Sequence, residues 1–115
     1  MLFRSREKEL IIRGGINISP LEIDSILLQR PEIIEVATVG VPDRTYGEEV
    51  VSFVVARPGA TIDIDDLLRY CGAVLPASKA PKQIVLSNHL PKTARGKLDR
   101  RALAEQWTVD HRELI

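Results

Sequence analysis

The segment IIEVATVGVPDRTYGEEVVSFVVA, residues 33–56, decides the architecture. Ile33–Val41 and Glu49–Ala56 are dense in β-branched residues, whose side chains suit a pleated surface better than a helix. The second run is nearly continuous in apolar residues at strand length. Both are expected to be strands. Pro42-Asp43-Arg44-Thr45-Tyr46-Gly47 between them is expected to be a loop long enough to do more than turn a hairpin.

Upstream, ELIIR (9–13) is a short apolar run that stops at Gly14-Gly15, a tight-turn signal, and Ile16–Ile18 returns as a second short strand. Ser19-Pro20-Leu21-Glu22 is a helix start. The Ser19 hydroxyl can cap, Pro20 suits the first helical position and Glu22 can close a capping box. The helix should run to about Gln29, turn Leu21, Ile23, Ile26 and Leu27 inward, and end before Pro31. Downstream, Pro58-Gly59 breaks the second strand. Asp63–Leu75 follows as a helix with Ile64, Leu67, Leu68, Cys71 and Val74 facing inward. Its early Asp63, Asp65 and Asp66 suit the positive end of a helix dipole.

Pro76–Pro81 is a connector, Gln83–Leu86 a third core strand and Leu90–Leu98 a loop. Asp99 caps a last helix reaching about Trp107, with Leu103 and Trp107 pinning it to the core. Strands and helices mix without strict alternation, so the class is α+β: a small mixed three-stranded sheet with flanking helices and a short N-terminal β-hairpin. One domain is expected over residues 5–107, with 1–4 as linker or cloning-derived residues and 108–115 as a tail.

The bulk numbers exclude several functions. A chain of 115 residues, 44% of them hydrophobic, supports one compact domain. Sixteen basic residues balance sixteen acidic ones, which argues against a nucleic-acid binder. Cys71 is the only cysteine, so no internal disulfide or cysteine metal cluster can form, and a reducing, cytoplasmic compartment fits. No apolar stretch approaches a membrane span and no secretory signal core opens the chain. His89 and His111 have no ligand cluster at metal spacing, so no metal site is expected.

The run Leu90-Pro91-Lys92-Thr93-Ala94-Arg95-Gly96-Lys97-Leu98-Asp99-Arg100 carries the chemistry. Gly96 permits a turn that other residues resist, and its missing side chain lets a ligand or partner come close. Lys97 follows, with Lys92, Arg95, Arg100 and Arg101 nearby. A compact ammonium on a flexible stem suits a phosphate or carboxylate oxygen. The same run also reads as a solvated basic turn. A Walker-type phosphate loop is excluded, because Leu98 stands where Ser or Thr is needed and no glycine lies five residues before Gly96.

LPKTARGKLDRRAL (90–103) resembles the terminal signature of the adenylate-forming superfamily, which holds acyl- and aryl-CoA synthetases, peptide-synthetase adenylation domains and luciferases. SREKELIIRGGINISPLEID (5–24) is similar to the hinge and glycine-turn signature that opens the small C-terminal domain of that superfamily, its mobile lid. VGVPDRTYGEEVVSFVV (39–55) lies between them. The resemblance implies that Lys97 is the catalytic lysine that reaches substrate carboxylate and the α-phosphate side of ATP. It implies that Lys8 is the hinge, preceded by the linker Arg6, and that Gly15 passes close to the pantetheine arm of coenzyme A. ATP and CoA would be substrates of the full-length enzyme, bound with magnesium by a large N-terminal domain, and none would be held by this chain alone. Lys97 would also be a target for a lysine acetyltransferase and deacetylase.

Ser5, where the family usually has glycine, the lack of a lysine near Ile11, and Asn17, an arginine in some acetate-activating relatives, are departures. The run IIRGGINISPLEID (11–24) looks more like fatty-acyl and related acid–CoA ligases than peptide-synthetase adenylation domains. A free-standing, non-catalytic binding module is the reading from a different class. Elsewhere, Cys71 is expected to pack inertly in the core, Glu48-Glu49 to mark a solvated strand edge, and Tyr46-Gly47 to form an interface turn.

Overall fold

The computed structural model describes residues 10–111. Strands β1 (Ile11–Arg13) and β2 (Ile16–Ile18) form an antiparallel hairpin. Helix α1 (Pro20–Leu27) follows, then β3 (Ile33–Asp43), β4 (Gly47–Ala56), helix α2 (Ile64–Val74), β5 (Gln83–Ser87) and helix α3 (Arg100–Asp110). The main sheet has the order β3-β4-β5, with β3 and β4 antiparallel and β4 and β5 parallel. It is the mixed three-stranded sheet that the pattern of runs predicts.

Both faces of the sheet are covered, which explains why β4 is apolar almost throughout. On one face Val36, Val50, Val54 and Ile84 pack with Ile11 and Ile18 of the hairpin, Ile23 and Leu27 of α1, and Leu67 and Cys71 of α2. On the other, Ala37, Val39, Val51 and Phe53 pack against Leu103 and Trp107 of α3. Alternate residues of each strand therefore enter different cores. Asp99 accepts a hydrogen bond from the Ala102 amide, so its capping assignment holds, and Asp63, read as an early helical acid, is the N-cap of α2 and accepts from the Asp66 amide.

Four local expectations are corrected. The segment 42–47 is no open loop. Pro42 and Asp43 extend β3, Gly47 and Glu48 extend β4, and Asp43 pairs with Gly47, leaving three residues in the turn. Asp43 Oδ2 accepts from the amides of Thr45 and Tyr46, and Gly47 takes φ +85°, so side-chain bonding and one left-handed residue close the chain tightly.

Ser19 occupies the N-cap position without using its hydroxyl; the Glu22 amide bonds the Ser19 carbonyl instead. The buried stripe of α1 is Pro20, Ile23, Asp24 and Leu27, and Leu21 is exposed. Val74 of α2 is likewise exposed, because the buried line runs Leu67, Cys71, Leu75 at four-residue steps. Two boundaries also differ: α1 stops at Leu27, and α3 continues to Asp110, where His111 stacks on Trp107 with ring centroids 4.1 Å apart.

Candidate functional site

Lys97 sits on a preformed turn. The amide of Thr93 donates to the Lys97 carbonyl (2.6 Å) and that of Gly96 to the Thr93 carbonyl (2.8 Å), while Lys92 and Leu98 form an antiparallel bridge. Ala94, Arg95 and Gly96 thus make a three-residue loop closed by a left-handed residue, Gly96 at φ +87°. A Cβ at Gly96 would meet nothing within 4 Å, so glycine is required here by backbone conformation and not by crowding. Lys97 is exposed, and among the described residues its ammonium has no ion-pair partner.

The base of this loop is tied to the sheet. The Asp99 amide donates to the Pro91 carbonyl, and Lys92 Nζ lies 3.4 Å from Glu35 Oε2. Arg100, three positions after Lys97, enters a buried ring of hydrogen bonds. Its Nη2 meets Asp24 Oδ2 at 2.8 Å and its Nη1 donates to the Thr38 carbonyl at 2.9 Å. Asp24 Oδ1 accepts from the Thr38 amide at 2.9 Å, and the Thr38 and Ser52 hydroxyls share a bond of 2.7 Å. Burial pushes the Asp24 carboxyl above the ordinary carboxylate range, against the opposite pull of Arg100 and Thr38.

The second candidate element is the Gly14-Gly15 turn. Both glycines have positive φ, +59° and +87°, which a two-residue hairpin loop of the primed type requires. Gly15 is exposed and open, with nothing within 4 Å of where a Cβ would stand; at Gly14 a Cβ would come within 3.2 Å of the Tyr46 ring. Four contacts anchor this hairpin to β4 and its turn. The Gly14 amide donates to the Tyr46 carbonyl (2.9 Å), and the Arg13 guanidinium lies 3.8 Å over the Tyr46 ring. Arg13 Nε bonds Glu49 Oε2 (2.7 Å), and the Ile12 amide bonds Glu48 Oε1 (2.7 Å).

Glu49 is therefore no solvated edge residue. Its side chain is buried, and its Oε1 has no hydrogen-bond partner among the described residues. The hydrogen bond that Arg13 donates to Glu49 also raises the Arg13 pKa, against the lowering effect of burial. Gly40 makes room for the clamp, since a Cβ there would stand 2.8 Å from Glu48 Oε2.

A groove of about 520 Å³ lies at the base of the lysine loop, and neither Gly15 nor Lys97 lines it. Leu10 and Ile11 at the start of β1 line one side, and Thr93, Leu98, Asp99 and Arg100 the other. Asn17 is exposed on β2. Lys8, Arg6 and Ser5 lie outside the described residues. Cys71 is buried, and that burial raises its thiol pKa, which makes it a packing residue and not a nucleophile. Among the described residues no three His, Cys, Asp or Glu side chains are grouped to hold a metal ion, and no helix is long and apolar enough to cross a membrane.

Sequence reasoning singled out the glycine turns and Lys97 but not the contacts that Asp24, Arg100, Arg13 and Glu49 make around them. The one available signal was the helical spacing of Pro20, Ile23, Asp24 and Leu27, which places an acidic residue on a buried stripe.

The chain belongs to the AMP-binding enzyme C-terminal domain family, whose model matches residues 22–97 and ends on Lys97. It is 44% identical to an oxalate–CoA ligase of Arabidopsis thaliana, over 89% of this chain and 20% of that protein. It is 42% identical to a long-chain-fatty-acid–CoA ligase of Bacillus subtilis, over 92% of this chain and 19% of that one. The solved fatty acyl CoA synthetase of Mycobacterium tuberculosis superposes with a TM-score of 0.81 at 34% identity, over 90% of this chain and 20% of that structure. The chain thus spans about a fifth of the length of the relatives it matches.

Proposed function

We propose that this chain is the mobile C-terminal lid of an ATP-dependent carboxylic acid–CoA ligase and works with a large N-terminal domain of the same polypeptide. In the first half-reaction the substrate carboxylate attacks the α-phosphorus of ATP and pyrophosphate leaves. In the second, the thiol of coenzyme A attacks the acyl carbon of the adenylate and AMP leaves. The observation that carries the reading is Lys97: an exposed ammonium with no ion-pair partner among the described residues, on a turn fixed by backbone bonds. Such a group is available to negative charge gathering between carboxylate and α-phosphate, where a preorganised donor acts most strongly. Magnesium, when bound, would neutralise the phosphates, and the acidic ligands for it are assigned to the large domain.

Gly15 is placed beside the pantetheine arm, because its open, side-chain-free surface leaves room for a narrow chain to pass. Lys8 is assigned as the hinge between the two poses. One relative carries oxalate in its name and the other a long-chain fatty acid, at nearly equal identity to this chain. The acid is accordingly selected outside this domain, and a fatty or related acid remains our assignment from the glycine-turn segment.

The test separates the half-reactions in the whole ligase. Lys97→Ala should slow pyrophosphate release by roughly a hundred- to thousand-fold, the effect of losing one strong donor worth ~2.7–4 kcal/mol. Thioester formation from preformed acyl-adenylate and CoA should stay near normal. Equal slowing of both steps would overturn the assignment. Acetylation of Lys97 removes the same charge, so enzymatically acetylated protein should behave as Lys97→Ala does in this assay.

A further inference from the structure

Among the described residues the Lys97 side chain has no ion pair, and its backbone is held by the loop and the loop's base. The loop is closed by backbone bonds between Thr93 and Lys97. Its downstream stem passes through Leu98 and Asp99 directly into Arg100, the first residue of α3. Leu98 packs against the second core, and Arg100 ties this stem to the sheet by hydrogen bonds. One planar guanidinium bonds both the Asp24 carboxylate, on α1, and the Thr38 carbonyl, on β3. Asp24 returns to the Thr38 amide, so the outward-facing peptide groups of Thr38 are held on both sides by a single ion pair.

The Asp24 and Arg100 side chains are 9% and 16% exposed, at 2.8 Å. A guanidinium in this geometry serves two acceptors in fixed directions, which an ammonium does not reproduce. The upstream stem is seated by Leu90, buried in the second core, and its one ion pair among the described residues is the exposed Lys92–Glu35 contact at 3.4 Å, of a kind that contributes little.

We propose that Asp24 and Arg100 are positioning residues for Lys97. Their ring with Thr38 sets the base of the lysine loop relative to the sheet, and thereby the reach of the ammonium in adenylation. The proposal rests on the role assigned to Lys97 above. It differs from a general stabilising role in one respect: its effect on chemistry passes through Lys97 alone.

The experiment uses Arg100→Lys, which keeps the charge, and Asp24→Asn, which keeps the shape. In the whole ligase each should lower the rate of adenylation about tenfold, the order expected when a reacting group is slightly misplaced. The KM for the acid and thioester formation from preformed adenylate should change by less than about twofold. In a Lys97→Ala background the same substitutions should have no further effect on adenylation, since two residues acting as a unit are not additive.

Equal slowing of both half-reactions would overturn the proposal, as would the same tenfold loss with Lys97 already absent. A second measurement is independent of activity. In the 115-residue chain, Arg100→Lys should speed amide exchange at Gly96 and Lys97 while leaving Cys71 in α2 unchanged. Unchanged exchange in the loop would also overturn it. If Lys97→Ala itself left adenylation intact, the functional reading would fail, and the exchange result would still decide whether the ring holds the loop.

Discussion

Arg30 and Asp66 show how single residues set the response of this domain to acid. Arg30 Nη2 lies 2.7 Å from Asp66 Oδ2 and 3.0 Å from Glu32 Oε2. The hydrogen bond from Arg30 lowers the Asp66 pKa, so Asp66 binds its proton less readily folded than unfolded. A depressed carboxylate contributes stability that is present above its unfolded pKa of about 3.9 and lost as pH falls through the folded value. Asp66→Asn should therefore be less stable than the parent at pH 7, with the gap closing toward pH 3; urea titrations at both values measure it, and a gap that widened in acid would reverse the sign. Asp24 runs the other way, because its raised pKa makes the charged form the costly one in the folded chain. Residues of this kind are the least legible in a sequence. Gly14, Gly15 and Gly96 announce turns by identity alone, and all three have positive φ. Asp24 gives no such sign, because its partner Arg100 is 76 positions away.

At the scale of elements, the turn 44–46 and the Gly14-Gly15 turn behave as one unit, joined by the Arg13–Tyr46 stack and the Gly14–Tyr46 backbone bond. Tyr46→Ala should cost about 0.5–1 kcal/mol, the range of an exposed cation–π contact, whereas Tyr46→Phe should be close to neutral. Amide exchange at Gly14 should quicken in the alanine variant alone. Equal behaviour of Phe and Ala would mean that the ring face is irrelevant. The strands, helices and their order were readable from β-branched runs, caps and breakers. The tightness of the β3–β4 connection was not. It depends on Asp43 bonding two amides and Gly47 accepting a left-handed conformation, which let both strands extend past the point where apolar residues end. The burial of Glu49 is illegible for a related reason: two adjacent carboxylates look solvated until a second hairpin supplies a guanidinium.

For the whole molecule, two cores separated by one sheet raise the question of whether they melt together. Trp107, the only tryptophan, packs in the core under α3, so its fluorescence reports that side, while far-ultraviolet circular dichroism reports all elements. The two signals should trace one coincident transition, as single domains of this size usually do; separate midpoints would show two folding units. The folded chain by itself should release no pyrophosphate from ATP with magnesium and any of a panel of acids, and turnover above a Lys97→Ala control would contradict its assignment as a lid. The ring around Thr38 has one more consequence, for self-association. β3 borders the sheet, and a bordering strand ordinarily offers free backbone groups on which another chain can add. Here the amide and carbonyl of Thr38, midway along that border, are already occupied by a carboxylate and a guanidinium. An incoming strand would have to displace a buried ion pair before its first central hydrogen bond formed. The opposite border, β5, is only five residues long. The same contacts that root the lysine loop therefore also guard the domain against edge-to-edge aggregation.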